Sequence, residues 1–322
     1  MSCSIIRQRY GTSDASVKAE KPRIVVFMPT YNGERFLSAQ LDSILSQKGN
    51  FDLNITVRDD GSTDGTCDIL RRYALEQGVN VIYGEHIGVN ASIMEMVNQA
   101  DGEAELYAFS DQDDVWYDFR MQEAVDACLY PCDDMPLLWT CHEDLTDEHL
   151  NVFGAMPFPK YLGNFHNAII QNKTPGHTQV FNGALLRLLQ GYPPDSIFVY
   201  DWVLYLLASA FGRVLYCARS CGMYRQHGAN TIGYSANKWG HLTRRLRRLL
   251  NGSLRGISNQ QEHFLARYEE SLTVDARRVL GDFINNRGNL FSRIRFALTS
   301  KVRRDTPFES LQFRILYIFG VF

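Results

Sequence analysis

The chain has 322 residues, 45% of them hydrophobic and 21% charged, which excludes a disordered or fibrous protein and allows one large core with a smaller appendage. Its net charge of −3 hides an asymmetry: residues 1–235 carry 17 basic against 29 acidic side chains, whereas residues 236–322 carry 16 against 7. An acidic body without an aromatic–basic motif excludes a nucleic-acid partner for the main domain.

Residues 1–21 are polar and aperiodic and read as a flexible tail. They lack the apolar stretch of a signal peptide, and no apolar run approaches the ~20 residues of a membrane span. The seven cysteines contain no C-x-x-C pair; Cys128 with Cys132, and Cys217 with Cys221, are spaced poorly for zinc, which points to a reducing cytosol.

Ile24 to Met28 is a continuous apolar run before Pro29-Thr30, the pattern of a buried parallel strand. After the Asn32-Gly33 turn, Phe36, Leu37, Leu41, Ile44 and Leu45 recur at helical spacing. A strand around Ile55 and Val57, a helix through Leu70 and Tyr73, a strand at 79–83, a helix in the 90s and a strand closing at Phe109 follow in turn. Such alternation predicts βαβ units and a largely parallel sheet.

Further on, Leu137 to Thr140 and Val214 to Cys217 read as strands, 154–176 as a loop, and Asp201 to Phe211 as a buried helix. From Asn237, Trp239, Leu242, Leu246 and Leu249 share one helical face and four arginines between 244 and 248 lie mostly on another. The boundaries are therefore a tail at 1–21, a main domain at 22–235 and a basic helical extension at 236–322.

Two acidic clusters end predicted strands: Asp59-Asp60-Gly61-Ser62-Thr63-Asp64 and Asp111-Gln112-Asp113-Asp114. Crowded carboxylates repel, so they call for a cation or a polar ligand. In an open α/β sheet the crevice at the carboxyl ends of the strands takes nucleotides. Asp59 and Asp60 suit base N–H and ribose hydroxyl donors, while Ser62 to Asp64 suit the cap of the next helix. Asp111 and Asp113 suit Mg²⁺ or Mn²⁺ bridging to phosphates. Neither G-x-G-x-x-G nor a P-loop is found where those folds need it.

The segments Pro29-Thr30-Tyr31-Asn32-Gly33, Asp59 to Asp64 and Ser110-Asp111-Gln112-Asp113-Asp114-Val115-Trp116 resemble family 2 glycosyltransferases of the GT-A fold, over residues 22–233. The D-Q-D-D-x-W form is similar to bacterial rhamnosyltransferases of surface polysaccharide synthesis. The resemblance implies an α/β fold with a mostly parallel sheet flanked by helices, and a cytoplasmic enzyme. It further implies inverting transfer of a sugar, L-rhamnose from dTDP-L-rhamnose as the leading donor, to a surface or lipid-linked glycan.

By the same resemblance Asp201 is the catalytic base, and Pro29, Tyr31, Asn32, Asp59, Asp60, Asp111 and Arg225 hold the nucleotide sugar. Asp113 and His227 bind Mn²⁺ or Mg²⁺; Trp202, His177 and Asn182 line the acceptor site. The sequence departs from the pattern at Tyr200, where many members carry an acid, at His86, where asparagine is commoner, and at Arg120, where lysine is frequent. A sugar-nucleotide pyrophosphorylase or nucleotidyltransferase is the alternative, although its basic glycine-rich loop is missing near the N-terminus. The basic extension has two readings: helices packed on the main domain, or, with Phe313 to Phe322, a peripheral contact with the cytoplasmic membrane face.

Overall fold

The computed structural model describes residues 21–129, 135–228 and 253–322. The first half alternates β1 (Arg23–Thr30), α1 (Leu37–Leu45), β2 (Asp52–Asp59), α2 (Thr66–Gln77), β3 (Asn80–Tyr83), α3 (Val89–Gln99) and β4 (Leu106–Phe109). β1 pairs in parallel with β2 and β4, and β2 with β3. These strands read as continuous apolar runs because both faces are covered. Val26 and Met28 meet Leu37, Leu41 and Leu70 on one side, while Phe27 joins Ile93, Met94 and Val97 on the other.

The second half contains β5 (Val115–Trp116), α4 (Arg120–Cys128), β6 (Leu137–Thr146), β7 (Val152–Ala155), a short α5 (Phe165–Ala168), β8 (Val180–Asn182), α6 (Gly183–Leu189), α7 (Tyr200–Phe211) and β9 (Arg213–Arg225). The sheet order is β3-β2-β1-β4-β8-β6-β9-β5, with β7 on β6. β8 runs antiparallel to both β4 and β6, so the parallel block gives way to a mixed one there. Chain order reverses on either side of β1, and this makes the crevice between β1 and β4 the topological switch point.

β6 and β9 are much longer than their apolar cores at 137–140 and 214–217 suggest. Their register shifts at Cys141, His142 and Asp144, and the continuation carries buried polar groups instead of an apolar pattern. The predicted loop at 154–176 holds the end of β7 and all of α5.

Among the described residues four more helices follow: α8 (Ser253–Tyr268), α9 (Val274–Asn285), α10 (Leu290–Thr299) and α11 (Pro307–Ile318). They pack onto the α5–α7 layer. Phe264 and Tyr268 approach Phe165, Phe211 and Tyr192, all in one hydrophobic core. Phe313 and Tyr317 are buried against Phe283 and Phe296, so these two are core and not available to a membrane. The arginine-bearing stretch at 237–250 and the tail at 1–20 lie outside the described residues.

Candidate active site between β1 and β4

Three loops at the carboxyl ends of β1, β2 and β4 are fastened together. Asn32, at φ 48°, accepts through Oδ1 from Thr63 N (2.8 Å), while its own N–H donates to Ser62 Oγ (2.9 Å). Gln112 Oε1 accepts from Tyr31 N (3.0 Å). Gly33 makes room for this reach, because a Cβ there would stand 2.4 Å from Gln112 Oε1. Pro29 pairs with Arg58 across the strands, and Tyr31 stands 42% exposed above the crevice with its ring 4.4 Å from that of His86.

The two aspartates of the first acidic loop divide the work. Asp60 accepts from Ile87 N and Gly88 N (2.9 Å each), from Ser92 Oγ (3.1 Å) and from the buried Arg58 guanidinium. Burial would raise its pKa, but these donors outweigh it and hold the carboxyl below the usual range. Asp60 therefore anchors the 85–88 loop and carries His86 at its Oδ2 (2.9 Å) instead of presenting a free carboxylate. Asp59 uses Oδ2 for Ser62 N (3.0 Å); its Oδ1 is buried and has no hydrogen-bond partner among the described residues.

The second acidic loop, between β4 and β5, gathers more charge. Asp113 Oδ2 meets His227 Nε2 at 2.8 Å. His177 lies between Asp111 (Nδ1 to Oδ2, 3.2 Å) and Glu143 (Nε2 to Oε2, 2.7 Å), and Arg120 stands 3.4 Å from Glu143 on its other side. Burial would keep His177 neutral, but Glu143 and Asp114 outweigh it and raise its pKa well above the usual value, so it has to shed its Nδ1 proton before it can ligate a cation. Burial, with Asp111 beside it, pushes the Asp113 carboxyl up, and burial pushes Asp114 up strongly.

Asp111, Asp114 and His177 bring ligand atoms within 4.8 Å of one another, and Asp114 Oδ2 is buried without a hydrogen-bond partner among the described residues. Carboxylate oxygens suit a hard divalent ion. The donor chemistry therefore fits Mn²⁺ or Mg²⁺, through either this trio or the Asp113–His227 pair.

Asp201 sits in the first turn of α7, but Val199 is the N-cap residue, and the first helical N–H, that of Tyr200, donates to Asn90 Oδ1 (3.1 Å). The carboxyl instead accepts from Gly176 N at Oδ2 (2.9 Å), and its buried Oδ1 has no hydrogen bond of ordinary geometry. Burial, with Asp111 adding to it, raises the pKa to about 7. The helix terminus alone suggests a fully ionised group; burial makes it one poised at neutrality.

Four expectations change. Trp202, one position round the helix from Asp201, points into the core and donates from Nε1 to Ala168 O (2.6 Å), so it does not line an acceptor site. Asn182 pairs with Leu106 at the start of β4, the end of the sheet away from the acidic loop, where it caps α6 and accepts from Leu137 N. His177 is 5% exposed and bridges Asp111 to Glu143 instead of facing an acceptor. Arg225 is 4% exposed and donates to Asp113 O and Glu148 O (2.7 Å each), clamping the loop where a contact with the nucleotide sugar was expected.

Glu143 and Gln112 escaped the sequence reading as site residues. Glu143 gave no signal, because the strand read from the sequence ends at Thr140 and its counter-charges, His177 and Arg120, lie far along the chain.

Residues 25–147 match the family model described as glycosyl transferase family 2. The chain is 27% identical over 230 residues to the dTDP-rhamnosyl transferase RfbG of Shigella flexneri, covering 64% of this chain and 73% of that protein. It spans 66% and 59% of the length of two further curated relatives. In structure it is similar to TarS of S. aureus solved with UDP, with a TM-score of 0.55 at 17% identity over 93% of this chain and 80% of that one. A mannosyltransferase of Pyrobaculum calidifontis, solved with GDP-Man and Mn²⁺, gives 0.53 at 17% identity over 97% and 89%. The matched segment runs from β1 to the end of β6 and contains all three fastened loops, and on that ground the chain carries a glycosyl transferase family 2 segment within a GT-A fold.

Proposed function

We propose that this enzyme moves one sugar, with inversion, from a nucleotide sugar to a hydroxyl of a growing surface polysaccharide or lipid-linked glycan at the inner face of the membrane. The observation that carries the reading is Asp201, a buried carboxyl at about 7 with one oxygen held by Gly176 and the other without a hydrogen-bond partner among the described residues. A group poised there accepts a proton at neutral pH.

Asp201 takes the proton of the acceptor hydroxyl as that oxygen attacks the anomeric carbon from the face opposite the departing diphosphate. A single displacement inverts the centre, the logic that also governs inverting glycosidases. Tyr31, its ring tilted against that of His86, offers a platform for the base. Asp59 Oδ1 offers a buried acceptor to a base or ribose donor. Asp113 with His227, or Asp111 and Asp114 with His177, would hold a divalent cation, which when bound supplies positive charge against the diphosphate. Likeness to RfbG supports dTDP-L-rhamnose as the donor.

Incubation with a panel of nucleotide sugars, with and without Mn²⁺, tests this. Nucleoside diphosphate release that is fastest with dTDP-L-rhamnose and abolished by chelator is expected. Pyrophosphate release instead would identify a pyrophosphorylase, and full activity in excess chelator would remove the metal.

A further inference from the structure

α11 is apolar on two opposite faces. One buries Phe313 and Tyr317. The other carries Phe308, Leu311, Ile315 and Phe319, at 66%, 55%, 43% and 76% exposure. Their spacing of three, four and four residues keeps them on one stripe. The neighbouring α10 repeats the arrangement: Phe296 and Ala297 are buried, while Phe291, Ile294 and Leu298 stand out at 78%, 38% and 74%. Single exposed apolar residues are ordinary, but two consecutive helices with outward stripes indicate a surface made to be covered.

Charge indicates what covers it. Residues 286–322 hold seven basic side chains against two acidic ones, in a chain whose net charge is negative. Both acids are engaged within the fold: Asp305 pairs with Lys173, and Glu309 accepts from Thr306 Oγ1 (3.2 Å). Apolar stripes on a basic helical hairpin match an anionic bilayer, with large side chains among the acyl chains and cations at the headgroups. A second copy of this hairpin would bring like charges together.

The hairpin also adjoins the segment leading to the base. Arg303 lies over the Tyr161 ring at 4.5 Å, and Arg303 O accepts from Asn167 Nδ2 (2.8 Å). Asp305 N donates to Gln171 Oε1 (3.3 Å), five residues before Gly176. We propose that α10 and α11 form a monolayer-inserting surface for anionic phospholipid, which brings the Gly176–Asp201 side of the site to lipid-linked acceptors. The inference deepens the functional reading and rests on it for the acceptor.

Co-sedimentation of the full chain with phosphatidylcholine vesicles, with and without about one third phosphatidylglycerol, tests it. The expected result is binding that prefers the anionic vesicles, weakens with salt, and falls at least about tenfold in Leu311→Glu/Phe319→Glu. Lys301→Glu/Arg303→Glu should lose the anionic preference. Circular dichroism verifies that both variants are folded. No preference for anionic lipid, or undiminished binding by the folded Leu311→Glu/Phe319→Glu variant, would overturn the proposal. So would a wild-type dimer that ignores vesicles and dissociates on that substitution. Hydrolysis of the nucleotide sugar needs no acceptor and should match wild type in both variants, so its absence from the wild type would reject the functional reading separately.

Discussion

The carboxyl of Asp201 sits where two effects oppose each other: the positive end of α7 favours its charge, and burial disfavours it. Burial prevails and sets the group at about 7. Turnover should therefore rise from pH 6 to 8 as the proton leaves, with a bound cation moving the rise to lower pH. Asp201→Asn should lose ~10²–10⁴-fold in kcat, together with that pH limb, and leave the donor Kd unchanged. Stability gives an independent readout. A carboxyl whose folded pKa lies above its unfolded one contributes stability below about pH 4, and this is lost as pH rises through 7. The Asn variant should thus melt near wild type at pH 4 and above it at pH 8, by at most about 4 kcal/mol. Stopped-time assays and melting curves across this range measure both, and unchanged turnover would reduce Asp201 to a structural residue.

Elements differ in how openly the sequence announces them, and β1 and β6 show why. β1 to β4 are covered on both faces, so their apolar runs and the helices between them are legible. So are the loops at their ends, where the acidic motifs stand out against apolar flanks. β6 is legible only to Thr140, because beyond it His142 and Glu143 are buried through partners far along the chain: Tyr216, His177 and Arg120. Propensity cannot register a charge that a residue elsewhere neutralises. The acceptor-side assignments of Trp202 and Asn182 failed for a related reason, since sequence places them near the site without showing the direction of the side chain. Burial raises the Glu143 pKa, but His177 and Arg120 outweigh it, so Glu143 is ionised between two cations. Glu143→Gln leaves both buried without their shared counter-charge and should cost ~3–5 kcal/mol. Calorimetry should show a melting point lower by roughly 5–15 °C. A shift within error would mean that water already screens this cluster.

At the scale of the whole molecule, the acidic main domain and the basic helices that follow are joined by one core. Ile257, Phe264 and Tyr268 of α8 are counted among the same buried side chains as Phe165, Tyr192, Val203 and Phe181, and Phe181 belongs to the sheet. Gln260, fully buried, adds polar ties by accepting from Phe198 N (2.9 Å) and Val199 N (3.2 Å), the residues that begin α7. Fully burying an apolar side chain contributes ~1.5–3 kcal/mol, so a few such contacts rival the ~5–15 kcal/mol net stability of a domain. The helices after residue 253 should accordingly unfold with the catalytic sheet and not before it. Phe264→Ala tests this, because it removes a fully buried ring from the shared face at a cost of ~3–5 kcal/mol. In a Trp239→Phe background the remaining tryptophans, Trp116 and Trp139 in the sheet and Trp202 in α7, report the main domain by fluorescence, whereas far-ultraviolet circular dichroism reports all helices. In the variant both signals should move to the same lower temperature, as one cooperative unit requires. If the helical signal falls early while the tryptophans melt at their wild-type temperature, the two parts are separate units, and the C-terminal helices do not hold α7 and its Asp201 in place.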